Sequence, residues 1–278
     1  MSVTTSVEEW SGKDRGDENF PVGSFLIRRD LRAHVHAFYD FARNADDIAD
    51  SPVLTPEDKI ARLDIMQEVL LGQRAVGSPS ARTLRASLDA TGVTSRHSTD
   101  LLVAFRQDAT KQRYASWDEL FHYCRHSAMP VGRHVLDLHG ESAETHAPSD
   151  ALCASLQILN HLQDCAKDLL ELDRSYLPAD LLDLFGARVE DARAAEAPPK
   201  LRRVIDALLD RVDRMNQEAA DLPRRTRDRR LRLETATIVG LARRLSRLLR
   251  QYDPVAKRVK LSKIDAVMSL LAAFRFFP

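Results

Sequence analysis

The chain has 278 residues, 44% of them hydrophobic and 29% charged, and its 41 basic and 41 acidic side chains cancel to a formal net charge of zero. That length can bury a full hydrophobic core, which excludes a disordered chain or a stapled miniprotein, and the charge balance excludes a generic polyanion binder. The zero is nevertheless an average, because residues 200–263 hold 19 Lys and Arg against 8 Asp and Glu, so an acidic body meets a basic C-terminal third.

Only 10 glycines are present, which favours long helices over a many-turned sheet protein. Cys124, Cys153 and Cys165 form no C-x-x-C pair, so neither a disulfide framework nor a zinc knuckle is expected. The first 18 residues are polar, lack an apolar signal core and read as a disordered N-terminus. No uncharged apolar run is long enough to cross a bilayer. The expectation is a cytoplasmic protein, peripheral on the inner face of the membrane at most.

Residues 19–278 read as one all-α domain. Leu31, Val35, Phe38, Phe41, Ala42, Ala45 and Ile48 predict a helix over 30–50 that ends at Ser51-Pro52. Thr55-Pro56-Glu57-Asp58 then has the form of an N-cap, an N1 proline and an acidic first turn, opening a helix that stops near Gly72. Two more helices are expected over 80–90 and 97–112. Ser116-Trp117-Asp118-Glu119 has the capping-box form and starts a helix to about His139, kinked at Pro130 and Gly132. A loop from Gly140 to Ser149 follows, then helices over 150–172, 199–220, 228–252 and 262–274. No β-alternation, G-x-G-x-x-G or fixed-period repeat is present.

Two stretches carry the chemistry. In Tyr39-Asp40-Phe41-Ala42-Arg43-Asn44-Ala45-Asp46-Asp47-Ile48-Ala49-Asp50, helical geometry brings Tyr39, Arg43, Asp46 and Asp50 onto one narrow arc while apolar residues fill the other faces. In Gln157-Ile158-Leu159-Asn160-His161-Leu162-Gln163-Asp164-Cys165-Ala166-Lys167-Asp168, the residues Gln157, Asn160, Asp164 and Asp168 share a face opposite a leucine stripe. Alone, each is more often a solvated helix end or surface. Together they present carboxylates at i and i+4 on two inward faces, which repel unless a cation lies between, and oxygen-only ligands suit Mg²⁺. Facing one another, they would hold a cluster of Mg²⁺ ions that makes a diphosphate a good leaving group. The expected ligands are Asp46, Asp50, Asp164 and Asp168, with Asp47 and Asn160 behind them.

At these residues the sequence resembles the squalene/phytoene synthase family, head-to-head prenyl synthases of the isoprenoid synthase fold. The resemblance extends through Asn19-Phe20-Pro21-Val22-Gly23-Ser24-Phe25, Trp117 to Cys124, Ala128-Met129-Pro130-Val131-Gly132, Asp173-Arg174-Ser175-Tyr176-Leu177-Pro178 and Ala256-Lys257-Arg258-Val259. Glu18 to Ser24 and Asn160-His161-Leu162-Gln163-Asp164-Cys165 look most like its hydroxysqualene-forming bacterial branch. The resemblance implies presqualene diphosphate as substrate and hydroxysqualene as product, with handover from a presqualene diphosphate synthase and to a hydroxysqualene reductase. It also implies that Arg43, Arg174 and Arg258, with Tyr176 and Lys111, clamp the diphosphate, that Gln157 and Asn160 orient metal ligands or the capturing water, and that Ser24 and Tyr39 line the site.

No nicotinamide is expected. The rival readings are a condensing squalene or phytoene synthase and a helical assembly factor that lost the chemistry. Arg224 to Arg230 reads as a solvated or membrane-facing surface, with no nucleic acid expected, and 268–277 as either the last core helix or a segment dipping into a membrane interface. His122, His126, His134 and His139 read as partly exposed polar positions.

Overall fold

The caps that the sequence announces set the element boundaries of the computed structural model, which describes residues 6–8 and 27–276. The motif around Ser24 and the expected disordered N-terminus lie outside the described residues, apart from 6–8. Thr55 Oγ1 accepts from the Asp58 amide at 3.2 Å and opens α2 (Pro56–Leu70), after α1 (Arg32–Asp50). Ser78 accepts from the Ala81 amide and starts α3 (Pro79–Thr91), which Gly92 ends in the left-handed conformation. The α4 helix (Arg96–Asp108) follows, and Ser116 caps α5 (Trp117–Ser127) by accepting from the Glu119 amide.

The single kinked helix expected from 117 to 139 is in fact two. It breaks at Ala128 (φ −123°, ψ −47°) before α6 (Met129–Leu138). Pro130 supplies no amide hydrogen to the preceding turn, and as the second residue of α6 it stands in a first turn, where that hydrogen is not needed, so a break is less strained than a kink. The expected loop over 140–149 is shorter than its sequence suggests. After a 3₁₀ turn at Ala143–Thr145, α7 (His146–Glu171) begins with Pro148 inside its first turn. Two short helices add to the expected set, α8 (Ala179–Phe185) and α10 (Leu222–Arg225); each is too brief to show a period. The remaining helices, α9 (Pro199–Glu218), α11 (Arg229–Gln251) and α12 (Lys263–Ala273), fall where expected. No strand occurs among the described residues.

The core has two main apolar clusters. One joins α1, α2, α3 and α4 through residues such as Phe41, Ile48, Leu63, Met66 and Leu101. The other surrounds α7 and includes its Leu159 and Leu162, Ile205 of α9 and Leu245 of α11. The α7 helix is packed by α5, α6, α9 and α11, whereas α1 is packed by α2, α3 and α4. Gly132 allows α6 to lie against α7, since a Cβ there would run into Ser149 and Cys153. One expectation fails on burial. His134 is 1% exposed, stacks on Phe38 at 3.8 Å, and neither ring nitrogen has a hydrogen-bond partner among the described residues.

Candidate active site

The first aspartate stretch forms the last three turns of α1. Val35, Phe38, Phe41, Ala45 and Ile48 bury the helix on its other sides, as the sequence pattern requires. Carboxylates at a helix C-terminus face the negative end of the backbone dipole, so they cost stability unless cations compensate. Arg43 provides one, 3.1 Å from Asp46 and 2.6 Å from Asp47. Asp47 is thus turned into an ion pair and buried, while Asp46 and Asp50 remain partly accessible. Burial and then the Asp50 charge push the Asp46 carboxyl up to about 7.

The second stretch ends α7 in the same way. Arg258, from the segment before α12, grips Asp164 with both Nε and Nη2, the latter at 2.8 Å. Burial and then the Asp164 charge push Asp168 up to about 7, and Asp50 adds to that shift. The two motifs therefore act on one another across the bundle.

Arg174 links them. Asp173 takes a left-handed conformation (φ 48°) just after α7, and the chain reverses so that Arg174 points back into the protein. Its Nη1 donates to Asp50 at 2.9 Å and its Nη2 to the Asp108 carbonyl at 2.9 Å. The Asp108 carboxylate accepts from Tyr123 at 2.8 Å and Tyr176 at 3.2 Å. Burial pushes Asp108 up to about 6, against the opposing charge of Arg174. The Tyr176 ring stacks on His161 at 3.4 Å, and burial followed by the Arg174 charge pushes His161 down to about 3. Asp108 and His161 were not among the sequence candidates. Asp108 lies at the end of an ordinary amphipathic helix, and only the return of Arg174 and Tyr176 from far along the chain gives it a role.

The other candidates are distributed as follows. The Gln157 amide lies 3.1 Å from His161 Nε2, and Asn160 is half-buried on the same helix. Lys111 pairs with Glu119 and sits over the Tyr114 ring, so it is engaged at the α5 cap. Lys59, in the first turn of α2, has no signal in the sequence; burial and then the Arg174 charge lower its pKa, and the Asp50 charge opposes them. Tyr39 lines an apolar cavity of about 340 Å³ whose walls also include Phe38 and Ala42 of α1, Leu152 and Leu156 of α7, and Ile238 of α11. The cavity thus runs inward along the two helices that carry the aspartates.

The expected Mg²⁺ cluster is not prearranged. Among the described residues, no three carboxylate, imidazole or thiol groups are grouped to hold an ion. Arginines occupy Asp46, Asp47, Asp50 and Asp164 instead. The donor set still fits a hard divalent cation in its chemistry, because it offers oxygen ligands at the negative ends of two helices, with two carboxyls destabilised as anions.

Residues 13–265 match the family model described as squalene/phytoene synthase. The hydroxysqualene synthase of Rhodopseudomonas palustris is 46% identical over 271 residues, covering 98% of this chain and 92% of the relative. That of Sinorhizobium fredii is 44% identical, covering 91% and 86%. The solved structure of squalene synthase HpnC from Alicyclobacillus acidocaldarius has a TM-score of 0.75 and 32% identity, covering 85% of this chain and 90% of that one. The helical architecture is the isoprenoid synthase fold of these enzymes. On the matched length, the identities and the shared fold, the chain belongs to the squalene/phytoene synthase family.

Proposed function

We propose that the protein is a hydroxysqualene synthase, which ionises presqualene diphosphate, lets the cyclopropylcarbinyl cation rearrange and captures it with water. The observation that carries this reading is the pair of aspartate motifs toward the C-terminal ends of α1 and α7, which act electrostatically on one another and follow directly on the turns of the same two helices that line an apolar cavity. Relatives named hydroxysqualene synthase, at 44% and 46% identity, support the choice within the family.

Magnesium ions held by Asp46, Asp50, Asp164 and Asp168 would supply positive charge to the departing diphosphate. Arg43, Arg174 and Arg258 pair with the aspartates of the two motifs and would turn to the diphosphate oxygens when substrate arrives, with Lys59 adding a further cation. Phe38 and Tyr39 place aromatic rings in the cavity wall, where they would stabilise the developing positive charge, and the apolar walls would exclude bulk water. Gln157 and Asn160 would hold the single water that attacks. Its oxygen forms the new C–O bond to the cation and one of its protons passes to the departed diphosphate, which the broken C–O bond has left as the base. His161, kept neutral by burial and the Arg174 charge, adds no positive charge to the Arg174–Tyr176 network. Ser24 is assigned to the site lining on the family resemblance alone.

The test is to incubate the protein and Mg²⁺ with presqualene diphosphate or with farnesyl diphosphate and analyse the extract. Hydroxysqualene from the first is the expected result. Conversion of farnesyl diphosphate moves the protein to the condensing branch, and no turnover of either leaves the assembly-factor reading. A thirty-carbon substrate and product partition into lipid, which favours work at a membrane surface; no described helix is long and apolar enough to cross a membrane.

A further inference from the structure

The polarity of α12 is reversed. Its inner face is mostly small or polar: Ser269 meets Gly240 of α11, Ala273 packs with Leu233 and Ala236, and Asp265 binds Arg244 at 2.6 Å while it caps the helix with Ser262. Leu270, with Phe276 in the 3₁₀ turn that follows the helix, is the large apolar contribution that packs inward. Its outer face carries Ile264, Val267, Met268 and Leu271, continued by Phe274 in the 3₁₀ turn that follows, all between 49% and 74% exposed. These positions recur at three- and four-residue spacing and form one stripe along the helix. Exposed apolar residues are ordinary when scattered, but a contiguous stripe marks an interaction surface.

We propose that this face of α12 docks the protein onto an anionic lipid bilayer. Charge selects the occupant. Lys263 and Arg275 are exposed at the two ends of the stripe, and Lys257 and Lys260 are exposed in the segment leading into it. The sole acid among residues 254–276 is Asp265, which is turned inward to Arg244. A helix with an apolar face and cationic flanks lies in the headgroup region of a bilayer, with its side chains in the acyl boundary and its cations at the phosphates. The opposite side of α11 contributes Leu231 and Ile238 to the apolar cavity, so a single helix would separate the bilayer-bound α12 from the chamber.

The experiment is co-sedimentation of the full chain with phosphatidylcholine vesicles, either pure or containing about one third phosphatidylglycerol. Binding to the anionic vesicles is expected, weakening at about 0.5 M salt as the charges are screened. Ile264→Asp with Leu271→Asp should lower binding at least about tenfold, because two apolar anchors become anions. Lys263→Glu with Arg275→Glu should lower binding to anionic vesicles alone, and unchanged helical circular dichroism shows that both variants fold. No binding by the wild-type chain, or unchanged binding by the Asp variant, overturns the proposal. So does a wild-type dimer that the Asp variant converts to monomer, since a second copy then covers the face. The assay contains no substrate, so its failure leaves the catalytic reading untouched.

Discussion

The helices α7 and α12 are both amphipathic, yet they face opposite ways. The former turns part-buried amides and carboxylates toward His161, Arg258 and the charge of Asp50, and packs on its other sides through Ile158, Leu159 and Leu162. The latter turns serine, alanine and aspartate inward and leaves most of its large apolar residues outside. In each case the free energy lost to the unusual orientation marks a surface that works on something else. An enclosed polar face needs a charged ligand, and an exposed apolar face needs an apolar partner.

The largest effect is expected at Asp164. Asp164→Asn should lower turnover of presqualene diphosphate at least about a thousandfold while helical circular dichroism stays unchanged. Retained activity would show that the inward face of α7 is not the metal face. Next is Asp108→Ala, which strips Tyr123 and Tyr176 of their acceptor and leaves Arg174 without a nearby buried counter-charge. A loss of about 3 kcal/mol in urea unfolding is expected. Leu159→Ala, at a fully buried position, should cost about 3 kcal/mol in the same measurement.

His134 gives a pH-dependent contrast. Burial, then the neighbouring His97, pushes it down to about 3. Between that value and about 6.5 the unfolded chain binds a proton that the folded chain refuses, so stability falls as pH falls through this window. The contribution is about 2 kcal/mol at pH about 5. His134→Phe should flatten that acid limb; an unchanged stability profile would assign the limb to other groups. The smallest effect is at Leu271, 57% exposed, where truncation to Ala should change stability by no more than about 0.5 kcal/mol. A loss comparable to that at Leu159 would mean that the outer stripe of α12 is part of the core.

Much of this architecture was legible before folding. Thr55, Ser116 and the 3.6-residue period of the leucines locate α2, α5 and α7 because caps and periodicity act over a few residues. The break at Ala128 and the extra first turn of α7 were not legible, since proline is compatible with a kink, a break or a first turn, and packing selects among them. Likewise, Asp46, Asp50, Asp164 and Asp168 stand out by i, i+4 spacing, whereas Asp108 has no local pattern to distinguish it.

The sequence by itself determined the helical class, the two inward carboxylate faces and the family, all of which depend on local spacing and residue identity. Tertiary structure decided which arginine holds which aspartate, joined Asp108, Tyr176 and His161 into one network, and turned the apolar side of α12 outward. Those relations connect residues tens of positions apart, and a one-dimensional pattern carries no record of which face of one helix will meet another.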